Sequence, residues 1–154
     1  MFGLRSKAHR ECLDYTPEAE AIFRRIADDF GLEIIKKSND PVELSMTIPK
    51  QPGLNANIWL CLQNLDELWI GIDDFVFSVF PFEKVVADFE VYVRGLLSAE
   101  FRIRRTVHIR TGATISARLE KLEGGKWKTA SSYGRFSLPF QKTREELFFI
   151  REDA

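Results

Sequence analysis

The chain has 154 residues, 45% hydrophobic and 29% charged, with a formal net charge of −1. That length suits one domain and buries roughly 70% of the surface its unfolded form exposes, so no disulfide or metal staple is required. The composition is too apolar for a disordered chain, and nowhere does it gather the roughly 20 apolar residues of a membrane-crossing helix. Thirteen of the 19 aromatic residues are phenylalanine, which brings core volume and no chemistry, and two His and two Cys leave few reactive side chains.

Residues 1–10 carry charge but no apolar signal-peptide run, so they do not read as a secretory leader. Cys12 and Cys61 are far apart and belong to no C-x-x-C pair; they read as reduced thiols, and the chain as a cytoplasmic protein. Residues 1–15 are polar and read as the loosely ordered start of a single domain over 1–154.

The first regular element is a helix over about 17–30. Thr16 is placed to cap it, Pro17 suits its first turn, and Glu18 and Glu20 complement its dipole. Ile22, Phe23, Ile26 and Phe30 share one face, and Gly31 fits the stop. A short strand follows at 32–36. Three further strands then alternate in register: Val42 to Ile48, Asn57 to Gln63, and Leu68 to Ile72. Even positions are aliphatic and odd positions mixed, which predicts an antiparallel meander with one face on a core. Residues 75–82 are apolar on both parities, and read either as a strand buried on both faces or as the lead into a second helix. That helix carries Val85, Val86, Phe89, Val93, Leu96 and Leu97 at helical spacing.

A hairpin follows, 101–111 with 114–122, and Gly124-Gly125 turns the chain into 126–130; residues 131–141 are less legible. Thr143-x-x-Glu146 matches a capping box ahead of Leu147 to Ile150, which predicts a short C-terminal helix, with a final strand as the alternative. The fold class is therefore α+β: an antiparallel sheet built from two strand groups, two main helices and a short C-terminal helix.

This order, over roughly residues 17–150, resembles the secretion-chaperone-like domains, which run helix, meander, helix, hairpin, helix. The likeness is one of element order, without a shared motif, so it transfers no functional residue. It implies a non-catalytic, often dimeric domain that holds a partner polypeptide on its surface. The chain departs from that pattern in being near neutral and in having a longer first strand group.

The near-zero net charge conceals two opposed blocks. Residues 66–90 hold seven acids and one base, whereas 102–135 hold nine bases and two acids, Glu120 and Glu123. In the hairpin, Arg102, Arg104, His108 and Arg110 occupy even positions and face Arg118 across the turn, with Arg105 the exception among apolar odd positions. Like charges across a ladder repel and favour an anion between them, and arginine suits carboxylates and phosphates. This predicts a site for an acidic partner segment or a small anionic ligand; the alternative is a solvated face neutralised within the chain. Nucleic acid is disfavoured by the near-neutral charge and the absence of a recognition motif.

Trp59 and Trp69 fall on the odd, non-aliphatic face of the meander, beside Gly71, and predict an aromatic binding platform unless a helix covers them. Catalytic signals are thin. Asp73-Asp74 point to opposite faces if on a strand, His108 is a lone histidine, and no metal-ligand spacing or phosphate loop occurs. The expectation is a protein-interaction domain, binding a protein partner or its own copy without cofactor, metal or membrane; a small anion-binding domain is the alternative and a small enzyme the remote one.

Overall fold

A computed structural model of the chain describes residues 13–134 and 140–153. His9, Cys12 and most of the segment expected to be loosely ordered lie outside them. Helix α1 spans Thr16–Asp29. Its cap differs from expectation: Thr16 is already helical, and Asp14 Oδ1 accepts its backbone N–H at 2.9 Å. The stop is as read. Gly31 takes a left-handed φ of 64°, which lets its N–H reach Asp28 O and the Leu32 N–H reach Ala27 O, closing two of the last carbonyls.

Five strands and then four form two antiparallel sheets. The first has the order β1 (Ile35–Lys37), β2 (Leu44–Ile48), β3 (Ile58–Gln63), β4 (Glu67–Ile72), β5 (Phe75–Val79). Helix α2 (Phe82–Leu97) then leads to β6 (Phe101–His108), β7 (Thr114–Glu123), β8 (Lys126–Gly134) and β9 (Thr143–Phe148), in the order β8-β7-β6-β9. The 75–82 stretch is both strand β5 and, from Phe82, the start of α2; the strand is not buried on both faces as expected, since Phe75 and Phe77 are buried while Val76 and Ser78 are only partly so.

Two expectations are corrected here. The C-terminal element is strand β9, not a helix. Its capping-box pattern is a weak local preference, and the open edge of β6 offers six paired residues, from Ile103↔Phe148 to His108↔Thr143. That pairing also explains the second correction, two sheets in place of one. With β7 on one side of β6 and β9 on the other, no edge of β6 remains to continue the first sheet.

The even face of the first sheet is the core face. Leu44, Met46, Ile48, Ile58, Leu60, Leu62, Leu68, Ile70 and Ile72 are all buried there, beneath α1 and α2. Helix α2 also packs on β6, where Gly95 lets it lie against Phe101: a Cβ at Gly95 would meet that ring at 1.9 Å. Phe101, Ile103, Ala117, Leu119 and Ile150 join the same core from the second sheet. Both sheets thus turn one face inward and one outward, and the outward faces carry the residues of interest. No described helix is long and apolar enough to cross a membrane.

Candidate functional site

The outer face of the second sheet carries the arginines. The ladder sets Arg102 opposite Glu120 and Arg104 opposite Arg118. Arg102 Nε donates to Glu120 Oε2 at 2.8 Å. Arg104 Nε lies 3.1 Å from Glu120 Oε1, and its Nη1 lies 3.3 Å from Glu145 on β9. Arg102 and Glu120 are only 8% and 5% exposed, although neither described helix packs on this face. Side chains of the sheet itself do the covering. The Trp127 ring sits 4.1 Å from the Arg102 guanidinium carbon and meets Phe149 edge-on.

Around this buried pair the face is open. Arg118 is exposed and has no acidic partner among the described residues. Leu122 and Leu147, on the same face, are 44% and 52% exposed. Arg110 leaves the strand for the turn after His108, so it does not share the face. His108 is half-buried at the end of β6, with a ring nitrogen 3.4 Å from Thr111 Oγ1. Of the five predicted residues, Arg102, Arg104 and Arg118 come together, His108 stands at the margin and Arg110 lies apart. Glu120 and Trp127 were not among the expected residues. The even position of Glu120 in the hairpin already marked it as Arg102's neighbour, whereas Trp127 has no such signal.

Among the described residues the two charge blocks are neutralised only in part, within themselves or by nearby elements. Glu90 pairs with Arg25 and Arg94, and Glu123 with Lys121 and Lys128. Among the described residues one ion pair joins the blocks, Arg105 to Asp74 at 3.2 Å. Arg105, the exception in the strand pattern, points inward and links the sheets, with Glu146 at 3.3 Å on its other side. Burial would raise the Asp74 carboxyl, but hydrogen bonding and the charge of Arg105 outweigh it and hold the carboxyl below its ordinary value. Asp73 and Asp74 form the β4–β5 turn, with Asp73 at a left-handed φ of 52°.

The outer face of the first sheet carries Trp59 and Trp69, both half-buried, and neither described helix covers it. Trp59 Nε1 donates to Ser45 Oγ at 2.8 Å, and Ser45 in turn donates to Asp40. The gap expected at Gly71 is occupied by Trp59 itself, whose Cε3 lies 3.0 Å from where a Gly71 side chain would begin. Trp59 lines a shallow hollow of about 530 Å³ with Lys37, Thr47, Asn57, Gly71, Asp73 and Val76. Trp69 opens instead into a groove at the junction of the sheets, with Val76, Ser131 and Ser132. Between the indoles, Cys61 is fully buried, and desolvation, followed by the charges of Glu43, Asp40 and Glu67, pushes its thiol up to about 12, which makes it unreactive.

Among the described residues no three His, Cys, Asp or Glu side chains gather as a metal site would require. Compared with known families, curated proteins and solved structures, the chain matches none of them.

Proposed function

We propose that the chain is a non-catalytic protein-interaction domain, chaperone-like or regulatory, that holds an acidic, leucine-bearing segment of a partner protein on the outer face of its second sheet. The observation that carries this reading is the Arg104–Arg118 cross-strand pair, with exposed Leu147 beside Arg104 on β9 and exposed Leu122 further along β7 beyond Glu120. Arg104 already shares Glu120 and Glu145, whereas Arg118 has no described acid to meet. A carboxylate from outside relieves like-charge repulsion across the ladder. Apolar side chains on alternate positions of the same segment cover Leu122 and Leu147. The order helix, meander, helix, hairpin, kept as far as β7, supports the same class of function, although strand β9 stands where the chaperone-like pattern has its closing helix. A cytoplasmic setting fits the buried free thiol of Cys61.

The test uses a short labelled peptide alternating Glu with Leu, followed by fluorescence polarisation. Binding weakens as salt rises from about 0.05 M to about 0.5 M, and falls roughly tenfold or more with Arg118→Glu. Equal binding by Arg118→Glu, or by a peptide with Lys in place of Glu, overturns the reading. Light scattering separates the other occupant: a dimer that Arg118→Glu dissociates assigns the face to a second copy. Inorganic phosphate competing as well as the peptide assigns it to a small anion.

A further inference from the structure

We propose that the outer face of the first sheet is a second binding site, for a neutral saccharide stacked on Trp59. The indole is held in place before any ligand arrives. Its Nε1 is tied to Ser45 on β2, while its six-membered ring lies over Gly71 on β4. Those strands flank β3, so the indole is held from both sides of its own strand where it lines the hollow. Gly71 is what permits this, because any larger side chain would lift the ring. A fixed aromatic face costs little further ordering when a ligand stacks on it.

The polar groups around the ring decide the ligand. The Asn57 side-chain carbonyl accepts the Lys50 N–H at 2.7 Å, which leaves the amide nitrogen as a donor without a partner among the described residues. Thr47 Oγ1 is buried and without a hydrogen-bond partner. Asp73 offers a carboxylate and Lys37 an ammonium, and neither has an ion-pair partner among the described residues. The set therefore holds donors and acceptors together with one positive and one negative group. An anion that gains Lys37 meets Asp73, and a cation meets the reverse. A molecule with several hydroxyls, each both donor and acceptor, satisfies all four without net charge. A pyranose ring adds an apolar C–H face for the indole, and Val76 extends that apolar floor.

The experiment titrates the full chain with cellotriose, maltotriose, chitotriose and mannotriose, and follows the indole N–H resonances by NMR. At least one trisaccharide moves the Trp59 signal at concentrations up to about 10 mM and leaves Trp127 unmoved. The effect is insensitive to salt, since no net charge is exchanged. Asp73→Ala and Asn57→Ala, both at the exposed rim and outside the core, each weaken binding roughly fivefold or more. Arg118→Glu leaves it unchanged, which separates this site from the peptide face. The proposal is overturned if no trisaccharide moves Trp59, if the shift survives both rim variants, or if glucose 6-phosphate or adenosine monophosphate binds more tightly than every neutral sugar.

Discussion

Glu120 stands where two arginines converge, and its removal leaves Arg102 desolvated without a counter-charge. Breaking a buried pair from one side costs about 3 kcal/mol or more, whereas replacing both partners with apolar groups costs far less. Glu120→Ala is therefore expected to lower unfolding stability by about that amount in urea titrations, and Arg102→Met with Glu120→Leu to recover most of it. Gly95 makes a second residue-scale case. Alanine gains about 1 kcal/mol in a helix interior, yet here its Cβ would overlap the buried Phe101 ring. Gly95→Ala is expected to be less stable by about 1–3 kcal/mol, the reverse of the helix-propensity sign, as read by thermal or urea unfolding. The alternation of the hairpin made Arg102, Arg104 and Arg118 legible as neighbours. It did not show that Arg102 would be buried with Glu120 as its counter-charge, because burial depends on Trp127 and Phe149 arriving from β8 and beyond β9.

Between elements, two titratable groups act as fasteners. The Tyr15 ring stacks on Phe82 with centroids 4.4 Å apart, and its hydroxyl donates to Glu83, joining the start of α1 to the start of α2. That hydrogen bond pushes the Tyr15 phenol up to about 12. Because the folded value is raised, the contact is intact below the ordinary pKa of 10 and is lost as pH climbs from 10 through about 12. In a phenolate absorbance titration, Glu83→Gln should bring the Tyr15 midpoint down. Glu20 behaves in the opposite direction. Hydrogen bonds from Lys36, on β1, and from Arg24 hold its carboxyl below the ordinary 4.5. The α1–β1 tie is therefore present above pH 4.5 and fades as acid takes the carboxylate through its lowered pKa. Carboxyl NMR should show the Glu20 midpoint rising in Lys36→Met. The last element taught the opposite lesson about legibility. Thr143 and Glu146 fit a helix start, but a vacant strand edge outweighs a capping preference when the segment lies beside it.

Across the whole molecule, the segment after β9 latches the second sheet to the first. Ile150 enters the common core, Leu54 bridges Arg151, and Asn55 Nδ2 donates to the carbonyls of Phe149 and Arg151. Ile150→Ala is expected to cost about 2–4 kcal/mol, and hydrogen exchange should report faster opening in β9 and in the loop carrying Asn55 together. Arg105, by contrast, is a partly exposed link between the sheets, so Arg105→Met should cost about 1 kcal/mol or less in the same measurement. Its larger effect should fall on the Asp74 carboxyl, whose NMR midpoint rises once the cation is gone.

By itself the sequence determined the two helices, the antiparallel pairing of the meander strands, and which parity faces inward in those strands and in the β6–β7 hairpin. Those are local matters: side-chain direction repeats every 3.6 residues on a helix and every two on a strand, so apolar spacing reports them directly. The tertiary structure decided how many sheets there are, what becomes of residues 143–148, and which arginines remain free. Those depend on which edges, rings and carboxylates meet from distant parts of the chain, and no local spacing encodes such meetings. It also decided that both helices lie on the aliphatic face, leaving Trp59 outward and fixed over Gly71. The opposed charge blocks were evident as composition, but which of their charges are paired and which stay free, with Arg105–Asp74 as the one described link between them, follows only from where the strands place them.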